Sequence, residues 1–286
     1  MIKGDMAIKR ERAKRKVQEA IKEKGTGFLL AGIVGTIPEF GKIAIEEGIK
    51  MIEVLPLHLA PREWRGNRQD MIANYRVRGE ISRDEETLAV RTMRSMLGEE
   101  VFITVPTPGA FAEVVPIPFT EEDALALSKS GADGIHVHKF DFEDLEEITE
   151  IAHQYGLLVD AYIGNTNDEP DHTAYLGVPA RSPQEVKEAT QKMEDVGVDM
   201  IGLMTGLTYL GEKAGNVPPE VKERLEMLIS TAHVPTLVEG GINLKNSEVL
   251  KATGVNIIVI GTFLTDVAKS AVRDTLKTFV VDHETN

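Results

Sequence analysis

Residues 133–164 read "DGIHVHKFDFEDLEEITEIAHQYGLLVDAYIG" and hold one full unit of the pattern on which the fold depends. The run 133–138 is short, apolar and β-prone. Residues 141–156 are acidic and amphipathic at helical spacing and stop at Gly156, after which 157–164 is again an apolar β-prone run. Strand, helix, strand in that order implies parallel strands joined by a crossover. The unit recurs from Gly27 onward. Strand candidates are 28–35, 50–57, 101–106, 133–138, 157–164, 199–205, 235–241 and 256–262, with helical stretches such as 38–48, 121–131, 182–197 and 218–232 between them. Thr120 and the pair Ser182-Pro183 stand where helix starts are expected. Eight such units in about 260 residues match the (β/α)8 TIM barrel. A doubly wound open sheet would place a dinucleotide fingerprint after its first strand, and "AGIVGTIPEFG" (31–41) lacks that spacing. The expected organisation is an N-terminal basic amphipathic helix, 1–26, packed on a barrel formed by 27–286.

Composition narrows the setting. Hydrophobic residues are 42% of the 286 and charged residues 27%, enough apolar material for a large core with a solvated surface. No apolar run reaches the roughly 20 residues of a membrane span. The first 25 residues hold no signal-peptide core. The absence of cysteine excludes disulfides, thiolate metal sites and Cys nucleophiles, and suits a reducing cytoplasm. A net charge of −14 opposes non-specific binding to nucleic acid. The basic run "KRERAKRKVQEAIKEKG" (9–25) has the composition of a nucleic-acid tail. Ala13, Val17, Ala20 and Ile21 nevertheless recur in it at helical spacing, so it reads as a helix covering one end of the domain.

In a barrel the chemistry lies at the C-terminal ends of the strands. The seventh exit, "VEGGINLKN" (238–246), sets Gly240 and Gly241 directly after the Glu239 carboxylate, with a short helix expected near Leu244. The eighth, "IIVIGTFLTD" (257–266), places Gly261 and Thr262 at the matching level. Backbone amides bared by glycine, with the positive end of a helix, bind an anion without Lys or Arg. Three other exits carry polar groups that are costly to bury without purpose. They are Glu53 in the second strand, His136 and His138 two residues apart in the fourth, Lys139 after them, and Asp160 in the fifth. Alternate residues point inward, so Glu53, His136, His138, Asp160 and Glu239 would converge from four strands, as acid/base chemistry on a sugar needs. His136, His138 and a carboxylate would also suit a divalent metal ion. Lys139, at a strand end but of opposite parity to the histidines, offers Schiff-base chemistry instead.

From Asp199 to Asp266 the sequence resembles the last third of the ribulose-phosphate-binding barrels, which include ribulose-phosphate 3-epimerase, hexulose-6-phosphate synthase and 3-keto-gulonate-6-phosphate decarboxylase. The resemblance rests on Gly206 and Gly211 in "TGLTYLGEKAGN" (205–216), on Gly240-Gly241 and on Gly261-Thr262, and it covers about a quarter of the chain. It implies a substrate phosphate held at these glycines and a homo-oligomer, commonly a dimer. Three features depart from the pattern. Glu239 stands where the epimerases carry an Asp. The second and third strands hold no histidine, although His58 follows the second. The Asp-x-Lys-x-x-Asp motif of the synthase and decarboxylase is missing.

Two long connections complete the reading. Residues 57–87 are Arg-rich, with Arg62, Arg65, Arg68, Arg76, Arg78 and Arg83, and form either a lid or second-subunit contact or a helical insertion with surface ion pairs. Residues 164–182 are long and polar and place Asn165, Asn167 and Asp168 where they would meet ligand hydroxyls. The expected function is an enzyme on a small phosphorylated sugar or keto acid, an isomerase, epimerase or C–C lyase. A Schiff-base aldolase using Lys139 and a non-catalytic phosphometabolite-binding barrel are the alternatives.

Overall fold

The computed structural model describes residues 3–22, 25–56, 80–111, 117–164, 176–207 and 215–281. Eight parallel strands close into a barrel in chain order: β1 (Gly27–Leu30), β2 (Met51–Glu53), β3 (Phe102–Val105), β4 (Gly134–Val137), β5 (Leu158–Ile163), β6 (Met200–Met204), β7 (Thr236–Glu239) and β8 (Ile257–Ile260). β1 closes on β8 with Gly27 beside Ile257 and Leu30 beside Ile260. The helices are α1 (Lys3–Lys22) before β1, α2 (Gly32–Thr36) and α3 (Pro38–Glu46) after it, α4 (Arg83–Leu97) before β3 and α5 (Pro108–Phe111) after it. They continue with α6 (Glu121–Ser130), α7 (Phe142–Gln154), α8 (Pro183–Asp195), α9 (Pro219–Thr231), α10 (Ser247–Ala252) and α11 (Thr262–Val281). This is the expected (β/α)8 barrel with an extra N-terminal helix. Among the described residues no helix is long and apolar enough to cross a membrane.

The apolar residues form two cores, as barrel geometry requires. One lies between the outer faces of the strands and the helices and includes Ile52, Ile103, Ile135, Val159, Ile201 and Val238. The other fills the barrel itself with Leu29, Met51, Phe102, Leu158, Met200, Leu237 and Ile257, and Ala13 and Val17 of α1 join it from below. Helix α1 therefore caps the N-terminal end of the barrel, and its basic residues find partners within the chain. Lys16 Nζ lies 2.7 Å and Arg94 Nη2 2.6 Å from the carboxylate of Asp133, which also accepts from the Ile103 amide at 3.0 Å. Arg10 and His153 hold Asp199 at 2.6 and 2.8 Å. Both aspartates stand at the entrance of a strand, so the positive charge of α1 serves to fasten it there.

Three local readings change. The first strand ends at Leu30 rather than at 35, because Gly32 adopts φ +70° and the chain turns into α2. Gly35 then sits so close to the carbonyls of Leu30 and Glu53 that a Cβ would lie 2.6 and 2.7 Å from them. Residues 83–87 are not loop but the first turn of α4, opened by a capping box between Ser82 and Glu85. Arg83 donates to Glu122 and Asp123 of α6 and is thereby removed from any lid. The short helix after β7 begins at Ser247, not near Leu244.

Candidate active site

Neighbouring residues in a parallel ladder point to the same side, so the register decides which polar groups meet. Glu53 on β2 stands beside Thr104 on β3, Thr104 beside Gly134 on β4, and His136 beside Asp160 on β5. These residues form a polar belt inside the barrel, above the apolar floor. Gly134 has no side chain, which leaves Thr104 free to reach across β4. Its hydroxyl donates to Asp160 Oδ1 at 2.8 Å, while Asp160 Oδ2 lies 2.5 Å from His136 Nδ1. One step nearer the mouth, His138 stacks on Tyr162 with ring centroids 4.7 Å apart and 17° between the planes. The Tyr162 ring lies over Gly202 of β6, where a Cβ would overlap it.

The imidazoles are held at both ends. His138 Nδ1 lies 2.8 Å from the carbonyl of Leu176, and His138 Nε2 lies 2.6 Å from His136 Nε2. Leu176 is the one non-glycine among the described residues with positive φ, +49°. Such strain is retained where surrounding contacts enforce it. His136 Nε2 is 3.5 Å from Glu239 Oε2 and 3.8 Å from Glu53 Oε2. His136, Asp160 and Tyr162 are fully buried, whereas the Glu239 side chain keeps 23% exposure at the mouth. Two buried polar atoms of this cluster, Tyr162 Oη and Glu239 Oε2, make no well-formed hydrogen bond among the described residues, and the phenol interacts with that carboxylate.

The charges shift one another. Burial pushes Glu239 up, the positive His136 opposes this, and Glu53 and Asp160 add to it, leaving the carboxyl at about 7. Burial works against a charged His136, but Asp160 first and then Glu53 and Glu239 outweigh it and raise the ring to about 9. Burial and the three carboxylates hold the Tyr162 phenol well above its ordinary range. As for metal binding, His136, His138 and Glu239 each offer a ligand atom, all within 4.8 Å of one another.

The glycine-rich exits meet beside this cluster. Met204 on β6 pairs with Glu239 on β7, which brings Gly206 next to the Gly240–Gly241 turn. All three glycines have positive φ, +69°, +100° and +62°. A Cβ on Gly241 would lie 2.5 Å from the Leu207 carbonyl, so only glycine allows this approach. The Gly240 and Gly241 carbonyls turn inward, accepting from Thr205 Oγ1 at 2.5 Å and from Asn246 Nδ2 at 2.9 Å. Among the described residues none accepts from the amides of Gly206, Gly240 or Gly241. Gly261 ends β8, a Cβ on Gly32 would stand 3.8 Å from it, and Thr262 opens the 20-residue helix α11.

Glu53, His136, His138, Asp160 and Glu239 are thus brought together, and Gly206, Gly240 and Gly241 adjoin them. Lys139 is buried, with its ammonium 3.5 Å from Asp144 at the start of α7. Arg62, Arg65, Arg68, Arg76 and Arg78, His58, Asn165, Asn167, Asp168 and Gly211 lie outside the described residues. The sequence reading missed Tyr162, Thr104 and the Leu176 carbonyl. Tyr162 was within reach of it, being two residues beyond Asp160 and so of the same parity.

The chain matches no protein-family model. It is similar to the fructose-bisphosphate aldolases of Staphylococcus aureus strains Mu50 and MW2, with 27% identity over 133 residues, 46% of this chain and 45% of theirs. It therefore spans less than half the length of these curated relatives. Among solved structures, a chain of the tryptophan synthase a2b2 complex of Pyrococcus furiosus superposes with a TM-score of 0.61 at 16% identity, over 86% of this chain and 91% of that one. A mutant tryptophan synthase alpha-subunit from the same organism gives 0.59 at 17%, over 85% and 88%. The likeness to the solved structures is one of fold, the TIM barrel.

Proposed function

We propose that the protein is an enzyme acting on a small phosphorylated sugar or keto acid, and that it moves a proton next to the substrate carbonyl, as an isomerase or epimerase or as a C–C lyase. The observation that carries this reading is the end of β7. The Glu239 carboxylate, 3.5 Å from His136, is followed at once by two amides that have no acceptor among the described residues, at Gly240 and Gly241. The amides, with that of Gly206 and the Gly261–Thr262 exit, would hold the phosphate, which sets the carbonyl end of the ligand against the polar belt. Glu239 and Glu53 are the carboxylates that move the proton. Asp160 orients His136, and the Tyr162 hydroxyl is placed to donate to the oxyanion that forms. The narrower resemblance to ribulose-phosphate-binding barrels supports the phosphate cradle. The partial likeness to fructose-bisphosphate aldolase supports a phosphorylated substrate and favours the lyase.

The test is solvent exchange. Incubated in D2O with a panel of keto-phosphates, the protein should exchange the proton beside the carbonyl, read by proton NMR. Glu239→Gln should abolish exchange and leave phosphate-ester affinity within about threefold. Esters that bind no better than their unphosphorylated analogues would end this reading. Binding without turnover across the panel would make the barrel a metabolite-binding protein. The aldolase name of the relatives also keeps a Schiff base on Lys139 in view, and borohydride trapping with the same panel would label that lysine if it reacts.

A further inference from the structure

We propose that the mouth of the barrel binds one divalent transition-metal ion, ligated by His136 Nε2, His138 Nε2 and the carboxylate of Glu239. These three groups come from two different strands and have ligand atoms within 4.8 Å of one another. Convergence alone is weak support, since polar groups cluster without metals. The proton inventory adds to it.

A carbonyl oxygen can only accept, so His138 must carry a proton on the Nδ1 that faces Leu176 O at 2.8 Å. His136 Nδ1 faces the Asp160 carboxylate and carries a proton there for the same reason. In the neutral rings both Nε2 atoms then present lone pairs to one another across 2.6 Å. A proton or a metal ion lying against both nitrogens would relieve that repulsion.

The three carboxylates around the pair favour a cation of higher charge than a proton. Glu53, Asp160 and Glu239 surround His136, and among the described residues no Lys or Arg pairs with any of them. A dication held by two neutral imidazoles would have both lone pairs and the carboxylate facing it. The surroundings agree. A metal-bound imidazole normally donates its other N–H to a carboxylate or a carbonyl, and Asp160 and Leu176 supply one of each. Thr104 in turn fixes Asp160. Glu239 Oε2 is buried with His136 Nε2 3.5 Å away, about the separation of two ligand atoms on one ion.

Two nitrogens and one carboxylate, without thiolate, suit zinc, manganese, cobalt or ferrous iron. Three protein ligands leave a coordination position for substrate, and the Tyr162 hydroxyl stands in the same cluster. Two nitrogens on one tetrahedral ion lie roughly 3.3 Å apart for bonds of about 2.1 Å. Binding therefore requires the rings to part by under about 1 Å, a small rotation of two side chains. The ion's role in polarising a carbonyl rests on the proposed function, but its binding does not.

The test uses the full chain stripped with EDTA in phosphate-free buffer. Calorimetric titration with Zn2+ and Mn2+ and the visible spectrum with Co2+ should each report one ion per chain. His138→Gln and Glu239→Gln should each weaken binding at least tenfold, and Asp160→Asn by about 10- to 100-fold through His136. His233→Ala, removing the surface imidazole that pairs with Glu194 at 2.9 Å, should leave it unchanged. Binding that survives His138→Gln, or that depends on His233, overturns the site, as does the absence of binding. Circular dichroism of each variant separates loss of ligand from loss of fold, and any one folded variant suffices. Phosphate-ester binding, measured on the stripped protein by phosphorus NMR, can fail or persist independently, so the two proposals fall separately.

Discussion

Asp160 is wholly buried and uses both carboxylate oxygens, one for the Thr104 hydroxyl and one for His136. Asparagine has the same shape but would present an N–H where an acceptor is needed, and would release the imidazole from its tautomer. Asp160→Asn is therefore expected to lower turnover by about 100-fold or more while leaving phosphate-ester affinity unchanged, a split between kcat and binding that steady-state kinetics and calorimetry resolve. Gly202 tests packing at the same scale. Its missing side chain is the room in which the Tyr162 ring lies. Gly202→Ala should cost about 1–3 kcal/mol in urea unfolding through overpacking, and should also displace Tyr162 from His138. Most of the inward carboxylates and imidazoles were legible in the sequence, because a charge in an apolar β-run is conspicuous. Thr104 was not, because a threonine in a strand is ordinary until a register places it beside a glycine.

At the scale of elements, α1 shows how magnitude separates ion pairs that look alike on paper. Asp133 is buried and holds Lys16, Arg94 and the Ile103 amide. Lys14 approaches Asp199 at 3.8 Å with its side chain 37% exposed. Asp133→Ala strands two buried cations and should cost about 3–5 kcal/mol. Lys14→Ala should change unfolding free energy by less than about 1 kcal/mol. Chemical denaturation of the two variants in parallel checks the contrast, and equal effects would contradict the placement of α1 as the floor of the barrel. The amphipathic pattern Ala13, Val17 was readable from spacing. Which aspartates answer its basic residues was not, since Asp133 and Asp199 lie far along the chain.

For the whole molecule, acid stability follows from Asp199. Burial would raise its carboxyl, but His153, Arg10 and the Val159 amide together hold it below the ordinary 3.8. A depressed carboxyl stabilises the fold above its unfolded value and loses that contribution as pH falls through its folded one. The stability advantage of the wild type over Asp199→Asn should thus be constant near neutrality and shrink below about pH 4, measured by urea unfolding across pH. Self-association belongs to this scale as well. Val272, Leu276 and Val280 on α11 are 57–63% exposed and, with Ala268, share one face beside Ile37 and Phe40. An exposed apolar stripe of this kind is a candidate interaction surface. A second copy of the chain is the expected cover. Sedimentation velocity should show a dimer for the wild type and a monomer for Leu276→Glu, and a monomeric wild type would refute it.

By itself the sequence determined the barrel, because hydrophobic periodicity is a local property and eight alternating units admit few closed arrangements. It also marked Glu239 and the glycines behind it, because a carboxylate followed by two residues without Cβ leaves a trace in one dimension. Only the tertiary structure decided that His136 leans on Asp160, that His138 turns to a carbonyl beyond β5, and that both face the β7 carboxylate. Those contacts depend on strand register and on the placement of Leu176 beside His138, and both are set by packing between segments distant in the chain.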